Sequence, residues 1–294
     1  MSLFLKNKNL EIRIDAPLEN YQHARFDWTG KIVSVHYQKI PVFGVEKPNT
    51  SPKSSFGRGF YNEFGIENAI GYDETPVGDW FHKIGVGLLK KEEGPYDFSK
   101  SYKIKPASFQ VEQTKSKLFI ICTSELINGY AYILTKEIAL SATGFDLHYK
   151  LINTGEKTIR TEEYNHNFLA IDQLSVGKKY LLKFPFSLEP NLFGENINPE
   201  KLVKIGSKSI GFENTPKEVY FFSNLSRGKL VKPSWELIHR EKNIGIRETT
   251  NFETRKINLW GCQHVISPEL FFDVIVDPGK TIEWSRNYHF ENLQ

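Results

Sequence analysis

The run LFFDVIVDPGKTIEWSRNYHF, residues 270–290, decides the fold class. Its first half is apolar and β-branched. Its second half places Trp284, Arg286, Tyr288 and Phe290 on one face of a period-2 pattern. Between them stand Asp277, Pro278 and Gly279, where proline presets φ and glycine tolerates a positive one, so the segment reads as two strands about a turn. The same signature recurs at 145–152, where Phe145, Leu147, Tyr149 and Leu151 alternate with Asp146, His148 and Lys150, a strand with one wet face. Residues 118–123, LFIICT, form a continuous apolar run and predict a strand covered on both faces. Further period-2 runs occupy 31–36, 129–134, 179–184 and 217–222. Helical signal is thin, confined to a turn or two at Trp235–Lys242, Pro199–Lys204 and Ile66–Ile70. Many strands and few helices predict an all-β sandwich.

Composition narrows the function classes. The 294 residues are 39% hydrophobic and 25% charged, an ordinary globular balance that excludes disordered and fibrous classes. A chain of this length can form one β-domain, and no repeat, low-complexity tract or linker divides it, so residues 1–294 are expected to be a single domain. Lys and Arg total 38 against 35 Asp and Glu, and a net +3 gives no electrostatic reason to expect nucleic acid or membrane as partner. The N-terminus lacks the basic and apolar regions of a signal peptide, which predicts a cytoplasmic location. Cys122 and Cys262 are far apart and form no CxxC pair. No HxH or HExxH spacing occurs, so no catalytic metal is expected; no cofactor is expected either. GxSxG and the phosphate-cradling glycine patterns are also missing.

Three segments carry candidate chemistry. In EYNHNFLAID, residues 163–172, alternation puts His166 on one face with Tyr164, Phe168 and Ala170. An imidazole so placed is more often a hydrogen-bonded core residue than a catalytic one, so it needs a partner. HVISPELFFDVIV, residues 264–276, embeds Glu269 between Pro268 and Leu270. A carboxylate there is either at a solvent edge or held for use. SFGRGFYNEFGI at 55–66 and GDWFHKIGVGLL at 78–89 set Arg58, Glu63 and His82 among aromatic residues, either as ordinary loop and strand residues or as a sugar site, with rings for pyranose faces and charged groups for hydroxyls.

Taken in order, these segments resemble the galactose mutarotase family, the aldose 1-epimerases and their relatives, over roughly residues 28–290. EYNHNFLAID resembles the family's asparagine-histidine strand, which implies a general acid at His166. ISPELFF resembles the late strand with the catalytic glutamate, which implies a base at Glu269. DVIVDPGKTIEWSRNYHF is similar to the family's closing hairpin. Arg58 and His82 sit where relatives place sugar contacts, and NLWGCQHVISPE, with Trp260, is similar to the strand preceding the glutamate in the branch acting on hexose 6-phosphates. The resemblance implies an all-β fold, the β-supersandwich of the galactose mutarotase type. It implies interconversion of the α and β anomers of a hexose through ring opening, with a small-molecule sugar as partner and a monomer or homodimer as the assembly. Two alternatives stand beside it: a hexose-6-phosphate 1-epimerase, with Arg58, Lys83 and Lys90 as the cations for phosphate, and a non-catalytic sugar-binding or sensing module.

Overall fold

The computed structural model describes residues 2–293. Two ten-stranded antiparallel sheets dominate it, joined by a three-stranded sheet, and among the described residues the only helical element is the 3-10 turn Pro190–Leu192. None of the described residues forms a helix long and apolar enough to cross a membrane. The expected helical turns resolve otherwise. Trp235 opens the strand segment within Ser234–His239, residues 199–204 run from a turn into Val203–Ile205, and 66–70 are bends and turns. At the first two places strand pairing within the second sheet overrides weak helical propensity.

The first sheet runs Leu3–Lys6, Leu10–Asp15, Lys31–Tyr37, Phe60–Phe64, Ile159–Asn167, Val265–Val276, Ile257–Cys262, Tyr220–Phe222 and Asn196–Ile197, with Ile40–Pro41 paired beside Lys31–Tyr37. The second runs from Val203–Ile205 through Ser209–Phe212, Tyr180–Lys183, Ser234–His239, Ile244–Thr250, Thr281–Asn292, Gly144–Asn153, Tyr132–Leu140 and Lys117–Thr123 to Ser108–Gln113. Their inner faces share a core that includes Ile12, Ile32, Ile120, Ile138, Leu147, Leu259 and Leu270, all fully buried. Each such side chain contributes roughly 1.5–3 kcal/mol through burial, so the sandwich is held by area.

Two expectations about strands need correction. Lys117–Thr123 buries Leu118, Ile120 and Cys122, but Phe119 and Ile121 remain half-exposed, because they lie on the outer face of the second sheet beside Glu137, His148, Thr135 and Lys150, a face open to solvent there. The turn at Asp277, Pro278 and Gly279 does not close a hairpin. Val265–Val276 pairs within the first sheet, whereas Thr281–Asn292 pairs with Gly144–Asn153 and Ile244–Thr250 in the second. The turn is a corner that passes the chain between layers, with Gly279 at φ +70°.

A second, smaller core lies on the outer face of the first sheet. Tyr21, Phe26, Trp28, Tyr61, Phe81, Phe168 and Val265 pack there, under the three-stranded sheet Trp80–Lys83, Gly87–Lys90 and Ile104–Pro106. Gly59 permits the close approach beneath it, since a Cβ at its φ of +60° would lie 2.1 Å from the Ile32 carbonyl oxygen. Phe26 and Phe168 of this layer pack against the His166 ring, with centroids 6.1 and 4.6 Å away.

Candidate active site

Period-2 alternation sorts the central strands of the first sheet into two sets. Glu163, Asn165 and Asn167 reach groups of the second sheet, while Tyr164 and His166 line a cavity of about 760 Å³ on the outer face. Cross-strand register extends that face laterally. Tyr164 lies opposite Phe271, Asn258 opposite Glu269, and Phe221 opposite Trp260. Loops supply the rest of the wall, including Arg25, Glu46, Glu67, Phe98 and Glu195.

His166 and Glu269 meet on the floor. Nδ1 of His166 lies 3.3 Å from Oε1 of Glu269 and 2.8 Å from Oγ of Ser267. Both side chains are buried, and the imidazole is wedged edge-on against Trp260 with ring centroids 5.1 Å apart. Burial pushes the Glu269 carboxyl up to about 8, opposed by the nearby Arg25 charge and a hydrogen bond with Asn258. Burial also drives His166 well below the usual imidazole range, and Arg25 adds to it. At neutral pH the pair therefore favours neutral imidazole beside a protonated carboxyl. Moving that one proton across the 3.3 Å contact gives the imidazolium and carboxylate instead.

The cations of the cavity are already engaged. Arg25 donates from Nε to Glu63 at 3.0 Å, has Glu46 3.5 Å from Nη1, and stacks over Phe26 and Phe98. Lys256 Nζ lies 2.6 Å from Glu67 and 2.9 Å from Glu162, over the Phe271 ring. Glu63 also accepts from Tyr164 at 2.7 Å and faces Lys83 at 3.4 Å, so a chain of buried charge runs under the floor.

Of the residues singled out in the sequence, His166, Glu269 and Trp260 come together here, and Arg58 and His82 do not. Arg58 sits in the bridge opposite Val45, donates to the Ser51 carbonyl, and borders a different cavity with Arg13 and Asp15. His82 is on the strand Trp80–Lys83, where alternation sends Phe81 into the smaller core and turns His82 toward the edges of Tyr130 and Tyr132. Burial pushes its imidazole down to about 4, which leaves it neutral at ordinary pH. Lys83 is buried against Glu63, and Lys90 lies opposite Trp80; neither borders the site cavity. Sequence reasoning missed Arg25, which stands in an irregular segment with no periodicity to point it anywhere. It also passed over Asn258 and Ser267, whose period-2 spacing from Trp260 and Glu269 was a usable signal.

No family model matches the sequence, and no curated protein matches it. Solved structures do. A galactose mutarotase related enzyme from Lactobacillus acidophilus superposes with a TM-score of 0.58 at 11% identity, covering 100% of this chain and 99% of its own. This is the galactose mutarotase-like fold. A galactose mutarotase-like protein from Lactobacillus casei gives 0.58 at 10% identity over 99% and 100% of the two chains. An aldose epimerase homologue from C. elegans gives 0.53 at 11% identity over the full length of both. At such identity the likeness carries the mutarotase-like architecture and leaves the activity to the site.

Proposed function

We propose that the chain is an aldose 1-epimerase that interconverts the anomers of an unphosphorylated sugar, with His166 and Glu269 as its acid and base. The observation that carries this is the His166–Glu269 pair, 3.3 Å apart on the floor of an aromatic-lined cavity. Opening a hemiacetal ring requires a proton delivered to the ring oxygen and another removed from the C1 hydroxyl. Those two oxygens share one carbon, so the acid and base must be neighbours. The pair holds one exchangeable proton and gives it to the ring oxygen as the carbonyl forms. The C1 hydroxyl proton returns to the pair, rotation about C1–C2 exposes the other carbonyl face, and the same steps run backward. The proton count of the pair is restored and nothing is consumed. Trp260, Phe98 and Phe221 offer flat apolar surfaces for sugar C–H faces, and Glu46, Asn258 and Asn224 offer hydroxyl partners.

The charge arrangement favours a free sugar over a phosphorylated one. Arg25 and Lys256 are each held by two carboxylates, and Arg58, Lys83 and Lys90 lie away from the cavity. A dianion would have to break an existing ion pair to gain one. The test is anomer-exchange NMR with a panel of free and 6-phosphorylated aldoses. Exchange on at least one free aldose supports the proposal. Exchange on phosphates alone points to the 6-phosphate reading, and binding without exchange points to a sensing module.

A further inference from the structure

The His166 strand and the Glu269 strand are neighbours, yet their ladder is open where the two side chains meet. Regular pairing between Ile159–Asn167 and Val265–Val276 runs as far as Tyr164 opposite Phe271 and returns only as an isolated bridge at Leu169 opposite Ile266. The same register sets His166 opposite Glu269 inside the interruption. Pro268, opposite Asn167, has no N–H with which to close it, and proline in a central strand is rarely tolerated without such a break. Over these residues the ladder does not fix how far apart the two strands stand.

A guanidinium from the other sheet sits behind the margin of this opening, where the regular pairing ends. Arg286, fully buried on Thr281–Asn292, donates from Nε and Nη2 to Oε2 of Glu163 at 3.2 and 2.7 Å. Its Nη2 also donates to the Leu270 carbonyl at 2.8 Å, and Nη1 donates to Oε1 of Glu248 at 2.9 Å. Glu163 is three residues before His166, and Leu270 follows Glu269. One planar fork thus grips the side chain of one strand, three residues before His166, and the backbone of the other, directly after Glu269. Trp284 and Asn62 hold Glu163, and Trp235 holds Glu248, so the anchors do not swing.

We propose that Arg286 is a positioning residue that sets the separation of His166 and Glu269 across this opening. The inference rests on the reading of those two residues as the working pair. A purely structural role is the competing account. Buried ion triads contribute little net stability relative to neutral replacements, so stability alone does not explain a guanidinium with four directed bonds at this spot. Lysine keeps the charge but cannot fork onto Glu163 and the Leu270 carbonyl together.

The test uses Arg286→Lys and, should that variant not fold, the neutral triple variant Glu163→Gln/Glu248→Gln/Arg286→Met. Folding is checked by urea denaturation. The deciding readout is the imidazole ¹⁵N titration of His166, whose resonances follow the ionisation of Glu269 only while the two groups stay in contact. In a folded variant the inference expects that step to move by roughly half a pH unit or more, or to vanish. It also expects kcat for anomer exchange to fall about tenfold or more with KM within about twofold. A folded variant with the wild-type titration step overturns it. Because the titration needs no turnover, its result is independent of the proposed activity, which fails separately if the wild-type chain exchanges no aldose.

Discussion

Replacing Glu269 by glutamine should make the protein more stable and nearly inactive, and the gain should depend on pH in a calculable way. Burial raises this carboxyl from 4.5 to about 8, so the native state keeps a proton that the unfolded chain releases. A group with a raised native pKa gives stability that is complete below the unfolded value and is lost as pH rises through the native one. Between those limits the loss is at most about 5 kcal/mol, taking about 1.4 kcal/mol per pH unit. Relaxation around the charged form lowers this, and roughly 2–3 kcal/mol is expected at pH 8. Glutamine has nearly the same shape, never ionises, and keeps an acceptor for Asn258. Glu269→Gln should therefore match wild type near pH 3.5, below the unfolded value, and exceed it by roughly 2–3 kcal/mol at pH 8. His166, with a depressed native pKa, contributes the opposite slope in acid, but that slope is common to both proteins and cancels. Urea melts at the two pH values, followed by tryptophan fluorescence, give the difference. Anomer-exchange NMR on the same samples should show kcat lower by roughly 100-fold or more. A stability difference that is the same at both pH values would refute the buried, proton-retaining carboxyl.

Further outcomes follow from the same geometry. His166→Asn should lower kcat by roughly 100-fold with little change in sugar affinity, and wild-type exchange rates in that variant would reject the pair. Trp260→Ala should raise KM by roughly tenfold, about 1.4 kcal/mol, by removing the ring that faces the imidazole and the cavity; an unchanged KM would take Trp260 out of the sugar's path. KM for a free aldose should vary less than about twofold between low and high salt, since an uncharged sugar gains no binding from net charge that salt could screen, and a strong salt dependence would revive the phosphate reading. Arg58→Ala should leave exchange within about twofold of wild type, and a large loss would mean that the loop carrying Arg58 reaches the cavity during turnover.

The sandwich was legible because many of its strands bury one face, and that requirement writes itself as alternation, as in Phe145 to Leu151 and Trp284 to Phe290. Partnership between strands was not. Residues 270–290 announce two strands and a turn, but whether the turn folds them together or sends them to separate sheets depends on pairings with segments over a hundred residues away. The floor of the site was partly legible for the same reason as the strands, since His166, Glu269 and Trp260 stand on periodic segments. Its walls were not. Arg25 comes from an irregular loop, and Arg58 and His82 were placed by local composition, which does not say which side of a loop faces the cavity. Arg286 carried a signal of another kind: a cation on an otherwise aromatic core face must have a buried anion. Alternation alone could not choose Glu163 and Glu248 from the many acidic residues available.

The corner at Asp277, Pro278 and Gly279 also bears on how the molecule is assembled. The strands on either side of it, Val265–Val276 and Thr281–Asn292, are interior members of different sheets, each flanked by partners that precede it in the chain. Until residues 265–292 have emerged from the ribosome, both layers are split down the middle and expose unpaired edges, a state prone to wrong association. Folding must then proceed by inserting one bent ribbon into two waiting clefts, with mostly nonlocal contacts and a correspondingly slow rate. Glu269 and Arg286 ride on that ribbon, so a nascent chain lacking it has neither sheet closed and no site at all.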